Sequence, residues 1–265
     1  MGNKTVLITG ARGGLGQALM DEFKANGWFV IATDLESRIT KKVSPGGMIR
    51  EVAMDVRSDE SVKAAFNQLA GEKLNMIVNN AGIDSYFPLS ETPVDKFKEV
   101  FEVNVFGSYR VNQVFLPILK RPGGRIIHVS SESVKISVPF MPYPVTKQAL
   151  EGYCRTLRQE LRFLGIDVTV VRPGAIKTGF LENVRTMKNP VQDSLLAGPF
   201  GRFAGQAYRE IGRIIEPEIA ARFIYRIGQR KKTRPVHSIN NDPKLSVTSW
   251  LPFSLLERMV YQRLK

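Results

Sequence analysis

Thr9-Gly10-Ala11-Arg12-Gly13-Gly14-Leu15-Gly16 is the stretch that decides the fold of this 265-residue chain. Directly before it, Val6-Leu7-Ile8 has the short apolar run of a buried strand. Directly after it, Leu15, Ala18, Leu19 and Phe23 recur at helical spacing, so one face of the next helix is apolar. Between the two, Gly10, Gly14 and Gly16 let the backbone turn sharply, approach a pyrophosphate and pack helix against strand. The helix N-terminus, with Leu15 in its first turn, then offers free N–H groups and the positive end of its dipole to an anion. A Gly-rich loop also serves as a plain structural turn, but between a strand and a helix it favours a dinucleotide.

Outward from this loop the same alternation continues. Strand-like runs follow at Phe29–Ala32, Met48–Met54, Leu74–Asn79, Arg125–Ser130 and Val168–Val171, separated by helical stretches over 58–71, 93–120 and 144–164. The order predicts an α/β Rossmann-type fold: a doubly wound parallel sheet of about seven strands, helices on both faces, in a single domain. No linker, internal repeat or low-complexity segment interrupts it. We divide the domain into a cofactor and catalytic core over 1–178 and a substrate lid with a basic C-terminal segment over 179–265.

Composition narrows the class. Hydrophobic residues make up 43% and charged residues 24% of the chain, as in ordinary soluble globular proteins. The single cysteine, Cys154, excludes an intrachain disulfide and fits a reducing compartment. Two histidines, His128 and His237, leave no basis for a His/Cys zinc site, so no metal is expected. Strand 4–9 leaves no room for a secretory leader, and no run reaches the ~20 apolar residues of a membrane span. A cytoplasmic protein is expected, with contact to a membrane surface as an added option.

Net charge is +13, and residues 201–265 carry 13 Lys/Arg against 5 Asp/Glu. That excess suits a solvated surface, an anionic substrate or an anionic membrane; no nucleic-acid motif accompanies it. The tail from Trp250 to Leu264 has an amphipathic pattern, with Leu256, Val260 and Leu264 every four residues. Docking onto protein is the favoured reading, resting on a membrane the alternative.

Polar residues collect just after the strands, where ligands of such sheets bind. Asp34 ends the second strand. There a carboxylate accepts from the ribose hydroxyls of NAD and repels the 2′-phosphate of NADP. Arg12 points the other way, but an anion ~4 Å from a phosphate costs several kcal/mol, so NAD is expected and NADP disfavoured. Asp34 as a turn or N-cap residue is the plain alternative. Asp55-Val56 follows the third strand. Asn79-Asn80-Ala81-Gly82 follows the fourth, where small residues admit a flat cofactor or form a turn. Tyr143 and Lys147, four apart, share one helical face, with Pro144 suited to the first turn. A free tyrosine has a pKa near ~10, and a neighbouring ammonium stabilises its phenolate.

These motifs, with Asn104, the Ser130-Ser131 pair and Pro173-Gly174, occur in an order and at separations that resemble the short-chain dehydrogenase/reductase family from Lys4 to about Thr178. The resemblance implies Tyr143 as acid/base, and Lys147 as the residue lowering its pKa and holding the nicotinamide ribose. Asn104 would support a proton-relay water, while Ile176 and Thr178 of Pro173–Thr178 would meet the carboxamide. It also implies a small carbonyl or alcohol substrate, a homodimer or homotetramer, and a variable lid. Ser130 lies 13 residues before Tyr143 and Ser131 lies 12 before, the latter a spacing similar to some retinol- and steroid-type members. Strand alternation lets only one serve, and we take Ser131. Glu132, Pro142 and Pro144 depart from the family's usual pattern. Glu132 would repel anionic substrates or face solvent.

Phe180, Leu181, Val184, Met187, Leu195, Leu196, Phe200 and Phe203 suggest an apolar pocket for a hydrophobic steroid, retinoid or acyl compound, or simply core. The leading expectation is therefore an oxidoreductase on secondary alcohols, ketones or aldehydes. The alternatives are a non-catalytic NAD-binding sensor, or a protein binding membrane surfaces through its basic end.

Overall fold

The computed structural model describes residues 4–40, 47–69, 71–248 and 250–265. Seven strands, β1 (Thr5–Thr9), β2 (Phe29–Asp34), β3 (Ile49–Ala53), β4 (Met76–Asn79), β5 (Arg125–Val129), β6 (Asp167–Pro173) and β7 (Val236–Ile239), form one all-parallel sheet in the order 3-2-1-4-5-6-7. β1 is buried along its whole length because helices cover both of its faces. Val6 and Ile8 enter one core with Phe23 and Ile224, and Leu7 enters the other with Phe115 and Leu150. The order reverses between β1 and β4, and their carboxyl ends open the crevice in which such sheets hold ligands.

The helices are α1 (Gly14–Ala25), α2 (Asp59–Gln68), α3 (Val94–Phe101), α4 (Gly107–Phe115), α5 (Pro142–Arg162), α6 (Gly179–Thr186), α7 (Ala197–Ala207), α8 (Pro217–Gln229), α9 (Pro243–Thr248) and α10 (Phe253–Leu264). α1 packs its Leu15/Leu19/Phe23 stripe on the sheet and on α8, where the Phe23 ring meets Tyr225 edge-on at 5.2 Å. Each such side chain, once buried, contributes about 1.5–3 kcal/mol.

Two sequence boundaries shift and one strand is new. The stretch read as one helix over 93–120 is two helices joined by a π turn, Glu102–Phe106, and ended by a 3₁₀ turn, Leu116–Ile118. α5 begins at Pro142, so both prolines sit in the first turn, where a missing N–H costs nothing. β7 escaped the sequence reading because four residues, Val-His-Ser-Ile, give neither an apolar run nor a clear alternation. The reading of 58–71 includes Ala70, which lies outside the described residues.

One face of the tail docks on protein. Leu264 packs against the cluster of Phe140, Phe200 and Phe203, and Arg202 Nε donates to the Leu264 carbonyl at 2.8 Å. Trp250, Phe253, Met259 and Tyr261 face solvent. Leu195, read as pocket lining, is 93% exposed and belongs to no core.

His128 on β5 is fully buried, its Nε2 accepting from Asn112 Nδ2 at 3.2 Å. Burial holds the imidazole neutral by pulling its pKa down to about 3. Below about pH 6.5 the unfolded chain therefore takes up a proton that the folded one refuses, so stability falls with pH through that window. From about pH 7 to about pH 4.5 the loss from this residue is about 2–3 kcal/mol. Urea unfolding of wild type and His128→Gln at both pH values measures it, and the variant should lose that share of the slope.

Candidate active site

The Gly-rich loop runs from β1 into α1, and its glycines are forced by contact. Gly10 has φ +63°, and a Cβ there would sit 2.8 Å from Ala81 Cα. At Gly16 a Cβ would lie 2.1 Å from the Gly10 carbonyl oxygen. The α1 N-terminus carries no side-chain cap and no acidic residue in its first turn, so its N–H groups stay free for an anion. Leu15 is buried in that turn, and the Thr178 methyl lies where a Cβ on Gly14 would point. Asn80 ties the loop down: its Nδ2 donates to the carbonyls of Thr9 and Gly10 at 3.0 and 3.1 Å. Thr9 Oγ1 accepts the N–H of both Asn80 and Ala81 at 3.0 Å. The sequence reading did not single out Thr9; a hydroxyl on the last residue of β1 was the available signal.

Asp34 is 6% exposed at the end of β2. Its Oδ2 accepts the Arg12 N–H and its Oδ1 the Leu35 N–H, each at 2.8 Å. The Arg12 guanidinium turns away to ion-pair with Glu51 and to hydrogen-bond Thr40 at 2.8 Å. Arg12 thus brings its backbone, rather than a free charge, to this corner. Asp55 is held below the usual carboxylate range by hydrogen bonds from the Arg57 side chain, and Val56 is buried against Gly107. These groups fit a dinucleotide along the β1–β4 crevice: an uncapped helix end for the phosphates, Asp34 for a ribose, and a cradle at Gly10 and Gly16 that side chains would fill.

The second group of residues meets beside it. Tyr143 lies in the first turn of α5, half-buried, with its hydroxyl near enough to Ser131, just beyond β5, for the serine to favour the phenolate. Ser130 faces the other way, its Oγ 2.7 Å from Glu151 Oε1 in an ion pair completed by Arg172. Lys147 is 3% exposed, with Nζ donating to the Val129 carbonyl at 2.8 Å and lying 5.4 Å from the Tyr143 ring centroid. The π turn carries Asn104, which is fully buried; its Oδ1 accepts the Ile83 N–H, and its Nδ2 donates to the Ile83 carbonyl and Thr146 Oγ1. Its Oδ1 would stand 3.2 Å from a Cβ on Gly82, and Lys147 Nζ 3.6 Å, so Gly82 keeps the space between them open.

Burial pushes the Tyr143 phenol well above its ordinary value, the Asp84 charge adds to the rise, and the Ser131 hydrogen bond opposes it. Burial also brings Lys147 down to about 8.

Around this set, Pro173 ends β6, and a Cβ on Gly174 would collide with the Asn240 carbonyl. Ile176 bridges to Ile215, and Thr178 is the N-cap residue just before α6. Glu132 neither faces solvent nor enters the crevice. It is half-buried, and its Oε2 accepts the Asp242 N–H at 2.7 Å, holding the loop beyond β7. The Phe180 ring covers Tyr143 edge-on at 5.8 Å.

A model of the short chain dehydrogenases matches residues 4–189. The chain belongs to this family. Among the short-chain dehydrogenases, the "uncharacterized oxidoreductase YbbO" of Escherichia coli (strain K12) is 35% identical over 204 residues, 74% of this chain and 76% of that protein. The "NADPH-dependent 3-dehydrocapnine reductase" of Ornithobacterium rhinotracheale is 26% identical over 98% of this chain and 96% of its own length. In fold, the chain is similar to a short-chain dehydrogenase/reductase of Burkholderia phymatum solved in complex with NAD, with TM-score 0.76 at 22% identity over 97% of this chain and 95% of that one. As a short-chain dehydrogenase the protein is an NAD(P)-dependent oxidoreductase. Among the described residues no helix is long and apolar enough to cross a membrane, and no cluster of metal-binding side chains occurs.

Proposed function

We propose that this dehydrogenase interconverts a hydrophobic secondary alcohol and its ketone, or an aldehyde, with NAD. The observation that carries the reading is the meeting of Tyr143, Ser131, Lys147 and Asn104 beside the β1–β4 crevice. A nicotinamide bound there would accept or supply the hydride. Ser131 Oγ donates to the substrate oxygen and fixes its distance from the Tyr143 hydroxyl. That hydroxyl gives its proton to the oxygen in reduction and takes one in oxidation. Lys147, charged below about pH 8, stabilises the phenolate, and Asn104 holds the polar path beside Lys147 along which a proton is returned. Phe180, Met187 and Leu196 of the segment after Thr178 act as the lid, and the chain assembles as a homodimer or homotetramer.

A panel of hydrophobic secondary alcohols and ketones, followed through the absorbance of the reduced cofactor, tests this. Binding of NAD without turnover of any of them would sink the reading.

The preference for NAD is supported by Asp34, whose carboxylate at the end of β2 would repel a 2′-phosphate, while Arg12 is engaged by Glu51. Asp34→Asn keeps an acceptor for the Arg12 N–H and removes the charge. It is expected to lower the NAD-over-NADP ratio of kcat/KM by about tenfold or more. An unchanged ratio would show that Asp34 does not choose the cofactor.

A further inference from the structure

One acidic side chain at the mouth of the site takes no part in the proton transfer. Asp84 lies two residues beyond Gly82, half-buried on the loop after β4. Its Oδ2 accepts from the Tyr86 hydroxyl and its Oδ1 from Asn183 Nδ2, each at 2.8 Å. Both donors are neutral. Among the described residues, neither oxygen meets a Lys, Arg or His at ion-pair distance. Other shielded acids are served differently: Glu51 and Glu151 meet arginines, and Asp34 accepts two backbone N–H groups.

The position of Asp84 follows from α6. Asn183 and Phe180 are three residues apart and share one helical face. Asn183 reaches Asp84, and Phe180 lies edge-on against Tyr143 at 5.8 Å. The carboxylate and the tyrosine therefore lie under the same turn of the lid. The Asp84 charge is also close enough to act on the Tyr143 phenol. A carboxylate accepts about four hydrogen bonds, so acceptor capacity remains beyond these two and the one from its own backbone N–H. An amide could serve the two neutral donors without the cost of desolvating an unpaired charge. The charge itself thus calls for a partner.

We propose that Asp84 is a specificity-determining residue that binds an ammonium group on the alcohol or ketone handled by Tyr143 and turns carboxylate-bearing substrates away. This rests on the oxidoreductase reading above. A charge-assisted hydrogen bond at such a site corresponds to about tenfold or more in kcat/KM.

The test compares 1-amino-2-octanol with its neutral isostere 3-nonanol and with 3-hydroxyoctanoate, using the full-length enzyme with NAD. The amino alcohol should be preferred over 3-nonanol by about tenfold or more and the carboxylate disfavoured, and in Asp84→Asn the amine preference should fall to about one. Asn183→Ala separates recognition from latching, since it removes the lid hydrogen bond and keeps the charge. The preference should survive it; its loss there would mean that Asp84 only fastens α6, and would overturn the proposal. Oxidation of 3-nonanol with no amine preference in wild type would overturn this inference alone. No reduction of NAD by any of the three would overturn with it the proposed action on hydrophobic secondary alcohols with NAD.

Discussion

Tyr143→Phe is expected to lower kcat by about two to four orders of magnitude while the protein still folds and binds NAD. The substitution removes one oxygen. The ring keeps its edge-on contact with Phe180, and Lys147 keeps its place near the ring face. Ser131 still accepts the Ser133 N–H at 3.1 Å. Nothing in the Gly-rich loop or at Asp34 touches Tyr143, so the dissociation constant for NADH should change by no more than a few-fold. What disappears is the hydroxyl beside Ser131 that passes a proton to the substrate oxygen in the proposed reaction. Steady-state kinetics with a cofactor titration by NADH fluorescence checks both halves, and a matching loss of cofactor binding would place the defect in folding instead.

Lys147→Met is expected to abolish activity to a similar degree and yet to raise the melting temperature of the enzyme without cofactor. Lys147 is 3% exposed, and burial lowers it to about 8 from 10.5. The folded state thus disfavours the ammonium relative to the unfolded chain, by about 3 kcal/mol at neutral pH. The sign follows from proton binding. Between about pH 8 and about pH 10.5 the unfolded chain holds the extra proton, so stability rises with pH across that window and the full cost applies below it. Methionine fills similar volume without charge. It forfeits the bond from Nζ to the Val129 carbonyl, a loss of about 1–2 kcal/mol, so a net gain of about 1–2 kcal/mol remains. For a chain of this size that is a few degrees in Tm. Calorimetry at about pH 7 and about pH 10 reads the effect, and wild type and variant should converge at the higher pH. A variant less stable at both would mean that Lys147 supports the fold rather than being carried by it for chemistry.

Local sterics made the dinucleotide half of the site legible. Gly10 and Gly16 answer to contacts within a few residues or to the neighbouring strand end, so the motif and its geometry coincide. The Tyr143–Lys147 pair was legible for a similar reason, since a four-residue step on a helix fixes a shared face. Ser131 over Ser130 needed the fold. Strand alternation showed only that the two diverge, and it is Glu151 with Arg172, over 20 residues away in sequence, that claims Ser130. Asp84 was invisible for the same reason. Its donor Asn183 lies 99 positions further on, and both it and Tyr143 are contacted by α6. At Gly174 the fold adds a constraint that the motif alone does not show, since a Cβ there would collide with the Asn240 carbonyl next to β7.

The most direct measurement is a single turnover: enzyme with bound NADH mixed rapidly with a hydrophobic ketone, for wild type and for Tyr143→Phe. Wild type should oxidise its bound NADH in one fast phase, and the variant, with the same NADH bound, should show that phase slowed by about 100-fold or more. Equal rates in the two proteins would contradict the assignment of Tyr143 as the proton donor.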